Sequence, residues 1–554
     1  MPDMPIPAWP QRLIRAATLA AAFAAGIASA PAFAQAPLTP GAVQDTLGPK
    51  KPPAKAPPAQ MVFPKPPPKV AHDPKGRRFT VNSFHFTGNT VYSEQMLKRL
   101  TERFIDLQLN LYDLSRAADA VTRFYQENGY PVARAVLPAQ KVDKGIVRIE
   151  VIEGRVGEVR FEGSRRYTPE FLRWRLATLA PGTLITSDGL EQDLLLLNDL
   201  PGLTARAVLE PGKKFGTTDV TIRLEEKAFS VVLRPNNHGR KEIGQWRVDA
   251  GASLNNPLGL GDQLSLYTIY SEHGLLKYGR ASYSVPVSPR GTRLEVAASS
   301  STYRVEGDIA QLGVTGEAHN REITLTHPVF RTRASSLSMN LGARSTELRQ
   351  RAFGVETSST GIDLLNLGLT YNQIGEDASV TSASAQVSTN FKANDFGNRS
   401  DAQKFKLELE GSELRGITRD WDAFGRVVYA YSPDPLPDSE KFALGGPGSV
   451  RGYRSSEVRG DGGLLLNAEV RTPINVANRL GIWSFFYDAG IARFKASPLQ
   501  VDGTLTIQSV GTGVTFYLHP AVTLKLEFAL PVGNTIQADG RNHGRAWISL
   551  TGNF

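Results

Sequence analysis

Cysteine is absent from the 554 residues of this chain. Its absence excludes a disulfide framework, thiolate metal ligands and a cysteine nucleophile. Histidine is scarce: there are eight, and none falls in an HExxH arrangement or a paired metal spacing. His85, His238, His519 and His543 are scattered and read as surface or turn residues. Ser455 and Ser456 stand beside Arg454 without a GxSxG setting, and GGPGS at Gly445–Ser449 lacks the lysine of a nucleotide-binding loop. No catalytic residue, metal, cofactor or use of ATP is therefore expected. Long apolar runs are missing too. Beyond Ala16–Ala30, no segment approaches 18 continuous apolar residues. If the chain spans a membrane it must do so as a closed barrel, which pairs every backbone group in lipid as a helix does.

What is present begins with charge. The formal net charge is +9, but residues 1–34 and 35–78 supply +7 of it. Lys50, Lys51, Lys55, Lys65, Lys69, Lys75, Arg77 and Arg78 face only Asp45 and Asp73. The remainder is nearly balanced, so no nucleic-acid partner is expected. Residues 1–34 read as a secretory signal peptide. Arg12 and Arg15 form its basic start, Ala16–Ala30 its apolar run, and Ala32-Phe33-Ala34 supplies small residues before Gln35. Residues 35–77 form a Pro/Lys-rich linker, expected to be extended, solvated and without a core of its own.

Two copies of one unit follow. VNSFHFTGNTVYSEQML at Val81–Leu97 and VGEVRFEGSRRYTPEFL at Val156–Leu172 align at an offset of 75, matching Phe86 with Phe161, Gly88 with Gly163 and Tyr92 with Tyr167. Each copy predicts a strand, a helix capped by Ser93 or by Thr168 with Pro169, a second helix, and two closing strands. This β-α-α-β-β order resembles a polypeptide-transport-associated (POTRA) domain, with copies at 78–154 and 155–227. An open sheet edge in such a unit can pair with an extended client strand through the backbone. The client-binding groups are therefore expected on the POTRA strands, without individual residues assigned.

From Ala228 to Phe554 the pattern becomes apolar/polar alternation with period two. Val522, Leu524, Leu526, Phe528 and Leu530 share a face opposite Thr523, Lys525 and Glu527. Ala546, Ile548 and Leu550 oppose Trp547, Ser549 and Thr551 in the same way. One side suits lipid and the other a wet lumen. Candidate strands start near Phe229, Gln245, Asp262, Leu275, Thr292, Arg321, Ser336, Asp363, Ser382, Lys404, Phe424, Leu464, Ile482, Ser509, Val522 and Arg545. The fold class expected is thus a 16-stranded antiparallel transmembrane β-barrel at 228–554, preceded by two α+β domains. The long segment 433–462 falls between strands eleven and twelve, on the extracellular side.

That segment holds GGPGSVRGYRSSEVRGD at Gly445–Asp461. It resembles the VRGY-type loop motif of two-partner secretion transporters, the outer-membrane exporters of haemolysins and filamentous-haemagglutinin-like adhesins. Phe486, Asp488 and Gly490 in FFYDAG match the same family's pattern. Independently of that, alternation in Ile482–Gly490 sends Trp483, Phe485, Tyr487 and Ala489 to lipid and Phe486, Asp488 and Gly490 inward. Asp488 is a lone acid among aromatics and needs a cation.

The resemblance implies a loop latch made by Arg451, Gly452, Tyr453 and Asp488, with Glu469 as a second acid, and Phe486 and Gly490 as the lumen motif. It implies a terminal assembly signal at Phe554, read by the barrel-assembly machinery, and a secreted, β-helical exoprotein as client. It also implies outer-membrane lipid around the barrel and POTRA domains in the periplasm. Many transporters of that family also carry an N-terminal helix that plugs the pore. The candidate here, Pro40–Leu47, is short and bounded by prolines, which leaves the resting closed state open. An insertase-like role, or a passive porin or adhesin, remain the alternatives.

Overall fold

The computed structural model describes residues 39–44, 47, 60–63, 76–307, 310–395, 404–476, 479–496, 502–533 and 543–554. The signal peptide expected at 1–34 and most of the 35–77 linker lie outside the described residues.

Two pieces of that linker are described, and neither is a solvated spacer. Pro40–Gln44 forms a short helix, α1, whose first four residues are buried. Gln60–Val62 forms a strand, β1. The expectation of an extended, core-free segment is corrected at α1, which is helical and buried; at β1 the chain is extended as expected, but paired to β8 and not free. A five-residue helix has no stability of its own, and it is contacts inside the barrel that hold this one.

The first α+β unit comprises β2 (Phe79–Val81), β3 (Ser83–Thr87), α2 (Glu94–Thr101), β4 (Leu107–Leu109), α3 (Leu111–Glu127), β5 (Arg134–Val136) and β6 (Ile146–Ile152). The single first strand expected is broken at Asn82, and its leading part pairs with β4 instead. The second unit comprises β7 (Arg155–Glu162), α4 (Pro169–Arg175), α5 (Ser187–Asn198), β8 (Leu203–Pro211) and β9 (Thr217–Glu226). Side-chain caps set the helix starts. Ser93 accepts from the Met96 N–H, Thr168 from Phe171 with Pro169 in the first turn, and Asn110 and Asp113 form a reciprocal capping box. Apolar helix faces close on the sheets: Leu97, Val121 and Tyr125 on Phe84 and Ile149 in one unit, Leu172 and Leu194 on Ala207 and Ile222 in the other.

The duplication extends to one turn. Gly88 and Gly163 have φ of +79° and +84°, and a Cβ on either would lie 2.3 Å from the carbonyl oxygen of Val151 or Leu224. Only glycine fits there. Beside each glycine a strand-end carboxylate gathers the following turn. Glu153 accepts from the N–H groups of Thr90 and Val91, and Glu226 from those of Arg165 and Arg166.

Sixteen strands close an antiparallel barrel. In order they are β10 (Phe229–Asn236), β11 (Arg247–Asn255), β12 (Gln263–Ser271), β13 (Leu276–Pro286), β14 (Arg293–Arg304), β15 (Thr315–Arg331), β16 (Ser335–Ala352), β17 (Val355–Ile374), β18 (Val380–Asp395), β19 (Phe405–Gly416) and β20 (Asp422–Tyr431). A small hairpin of β21 (Phe442–Leu444) and β22 (Val458–Gly460) stands inside the long loop. Then come β23 (Gly462–Val476), β24 (Arg479–Phe494), β25 (Gly503–His519), β26 (Val522–Val532) and β27 (Arg545–Asn553). Strands β15 to β18 are 16 to 20 residues long. They exceed the nine to eleven residues that span a bilayer, and β15 and β17 begin six to eight residues earlier than alternation alone indicates.

The second unit is bolted to the periplasmic turns. Arg175, 2 % exposed, donates to the carbonyls of Ser288 and Pro289 on the β13–β14 turn and to Leu196 within its own unit. Burial pushes its guanidinium down to about 10. Arg331 at the end of β15 pairs with Asp199.

Candidate functional site

The segment between β20 and β23 does not stand out into solvent. It folds back into the lumen with an apolar core of its own. Phe442, Leu444, Val450, Tyr453 and Val458 pack on the wall residues Leu465, Ala492, Phe494 and Ile507. Glycines make pits for it. A Cβ on Gly490 would lie 2.7 Å from Leu444, and one on Gly463 would lie 2.6 Å from Phe442. At the tip, Gly452 rests its backbone on the wall, where a Cβ would meet Ser509 Cβ at 2.6 Å. Asp461 clasps the loop base, accepting from the Leu436 and Lys495 N–H groups at 2.7 Å each.

The tip delivers Arg451 to a cluster of carboxylates. Its Nε and Nη2 donate to the two oxygens of Asp488 at 2.9 and 2.8 Å, a two-pronged contact that only a guanidinium makes. Its Nη1 donates to Glu469 at 3.1 Å and to Glu527 at 2.9 Å. The guanidinium lies 3.2 Å from the centre of the Phe486 ring, which itself nests over Gly511. Arg451 is 5 % exposed and Asp488 0 %. Asn467 and Ser509 donate to Asp488, while Arg471 pairs with Glu469 and Lys525 with Glu527. Three cations therefore meet three carboxylates. That balance offsets the cost of taking them out of water, and loss of any one member leaves a buried charge uncompensated.

Of the residues singled out from sequence, Arg451, Asp488, Glu469 and Phe486 come together. Gly452 and Tyr453 pack beside them on the loop tip, and Gly490 lies on the wall beneath the loop. Phe554 lies elsewhere, exchanging backbone hydrogen bonds with Val231 where β27 meets β10. Glu527 was placed on the lumen face by alternation but not assigned to the site. Trp547 also went unassigned, though it is an indole on an otherwise polar strand face. Its Nε1 donates to the Arg451 carbonyl at 2.8 Å. On the other side of that closure, Arg454 reaches Glu242 at 2.7 Å and Ser455 donates to the His238 carbonyl. The loop tip thus touches the last strand and the hairpin after the first.

Helix α1 lies in the lumen beside the loop. The Gly41 N–H donates to Asp438 at 3.0 Å, and Arg459 reaches both Asp438 and the Thr39 hydroxyl. Val43 packs among Ile243, Ile269, Leu276 and Tyr303 on the wall, and Gln44 reaches Asn320. A polar cavity of about 860 Å³ adjoins it, lined by Lys227, Ser265, Arg280, Glu322 and Arg344 among others. Helix and loop together occupy the bore.

A model of the family described as haemolysin secretion/activation protein ShlB/FhaC/HecB matches residues 216–516, and one for the ShlB-type POTRA domain matches residues 79–154. The chain belongs to the ShlB/FhaC/HecB family. Among relatives, the heme/hemopexin transporter protein HuxB of Haemophilus influenzae (strain 86-028NP) is 28% identical over 477 residues, covering 83% of this chain and 84% of the relative. The outer membrane transporter CdiB of Escherichia coli is 27% identical over 423 residues, covering 73% and 71%. The solved structure of CdiB from Escherichia coli superposes with a TM-score of 0.67 at 24% identity, covering 88% of this chain and 92% of that one, which speaks for the fold. This ShlB-type protein is an outer-membrane exporter of exoproteins, with POTRA units in the periplasm, and not an enzyme.

Proposed function

We propose that this ShlB-type transporter holds its pore shut with the seated loop, and that a secreted exoprotein passes once the loop and helix α1 shift. The observation that carries this reading is the burial of Arg451 against Asp488, Glu469 and Glu527 on the wall. Arg451, Gly452, Tyr453, Asp488 and Glu469 act as the latch, with Phe486 and Gly490 as its seat. The client is an extended chain that the POTRA strands, at 78–154 and 155–227, bind along a sheet edge. Relatives named for hemolysin and heme/hemopexin transport support an exported protein as cargo. A client that folds into a β-helix outside buries apolar surface there and cannot slide back, so no nucleotide is needed. Phe554, at the end of β27, is the group that the barrel-assembly machinery reads.

The experiment is secretion of the client from cells carrying Arg451→Ala or Asp488→Ala, with barrel insertion followed in parallel. Each variant should cut export at least several-fold at normal barrel levels. Normal export by both ends the latch reading.

A further inference from the structure

The outer wall carries a cluster of cations away from the latch. Strands β12, β13 and β14 have 9, 11 and 12 residues, about what a tilted strand needs to cross. Their extracellular ends therefore lie at the outer headgroup level. Trp246 and Tyr270, 51% and 54% exposed, mark that level as an aromatic girdle, and Tyr270 is the register partner of Lys277. From Lys277 one register row runs through Thr302 and Glu317 to Arg349. The next row on the same outward face holds Arg304, Thr315 and Arg351. With strands about 4.8 Å apart, the longer row is about 15 Å wide.

These seven residues line one groove of about 300 Å³, with four cations and a single carboxylate. Glu317 stands 3.7 Å from Arg349, and Arg304 meets only the exposed Glu306, at 3.4 Å. Lys277 and Arg351 enter none of the ion pairs found among the described residues. Next to the groove, toward the membrane, Gly279 and the small side chains of Ala250, Ala281, Ala298 and Ser300 line the wall, with His319 and Arg321 bordering them on β15. Together with Leu266 they leave a mostly apolar trough of about 760 Å³.

We propose that this face binds a phosphorylated glycolipid of the outer leaflet. Its phosphates are held by Lys277, Arg304, Arg349 and Arg351, and an acyl chain lies in the trough. Cations at headgroup height attract anionic lipid, and the threonine hydroxyls of both rows add donors between them. An acidic polypeptide would match the charge but has no use for the trough. The site is independent of the latch.

Full-length protein in neutral detergent is titrated with fluorescent diphosphorylated lipid A and with the same lipid stripped of phosphate. The phosphorylated form should bind far more tightly. The triple variant Lys277→Ala/Arg304→Ala/Arg351→Ala should weaken that binding roughly 100-fold while leaving the stripped lipid unaffected. Arg304→Lys/Arg351→Lys, which keeps the charge, should retain most of the affinity, and Arg415→Ala, at the opposite, periplasmic end of the barrel, should retain all of it. Equal binding of the two lipids, an unaltered triple variant, or an equal loss with Arg415→Ala overturns the proposal. So does displacement of the lipid by an acidic peptide or by millimolar inorganic phosphate.

Discussion

Arg451 is held by three carboxylates, but its position depends as much on residues without charge. Gly490 leaves space for Leu444, and the loop cannot approach the wall without that space. Gly490→Val should therefore unseat the loop with every charge still present, since overfilling a packed contact costs about 1–3 kcal/mol. The expected outcome is reduced export together with new cleavage in 445–461 by protease added to intact cells. A wild-type digestion pattern would show that the pit is not needed.

A second residue-scale effect lies in the periplasm. Burial pushes the Glu153 carboxyl up, but hydrogen bonds from the hydroxyl and N–H of Thr90 and from the Val91 N–H outweigh it, and the pKa ends below the ordinary glutamate range. A lowered folded-state pKa stabilises above the unfolded value of about 4.3 and is lost as pH falls through the folded value. Glu153→Gln should destabilise the first POTRA unit by about 2 kcal/mol at neutral pH. Its penalty should shrink below pH 4, as read by thermal melts across that range. A penalty that does not change with pH would assign the loss to shape and not charge.

At the scale of elements, β1 changes what the POTRA edge offers. It pairs parallel with β8, Gln60 with Arg206 through Val62 with Val208, and so covers the edge of the sheet ordered β1-β8-β9-β7. A client strand aiming at that edge competes with the transporter's own linker. Met61→Pro removes a backbone donor from β1 and should raise the affinity of an amino-terminal client fragment several-fold, measured by calorimetry on the full chain. Unchanged affinity would mean that the client binds elsewhere.

Elements also show what sequence can and cannot disclose. Alternation in Val522–Leu530 fixed the lumen side of Lys525 and Glu527, because lipid enforces it residue by residue. Which loop residue arrives opposite Glu527 depends on how deep the loop descends, and no local pattern encodes that. The overhanging ends of β15 and β17 were missed for a related reason. Beyond the hydrocarbon layer nothing requires an apolar outer face, and charges such as Arg349 and Arg351, at headgroup height, stand where a lipid-facing strand would carry leucine. Helix α1 falls within the candidate Pro40–Leu47, but its burial was not legible, because Pro-Gly-Ala-Val-Gln is held by Asp438 and the lumen wall and not by propensity.

For the whole molecule, helix and loop share one carboxylate. Asp438 takes the Gly41 N–H and the Arg459 guanidinium together, so the two obstructions in the bore are joined. A chain free of native cysteine allows a direct test. Gly41→Cys/Asp438→Cys should block export when oxidised and restore it on reduction, as followed by client appearance in the medium. Export through the oxidised form would place the route away from the helix.

The strand at Gln60–Val62 also sets the length of a leash. While it is docked, helix α1 hangs from an anchor 16 residues away, a reach of about 55 Å at full stretch. With β1 peeled off, the next described strand begins at Phe79, 35 residues from Gln44, and the reach at full stretch more than doubles. An arriving cargo would in this way pay out the rope that lets the stopper drop.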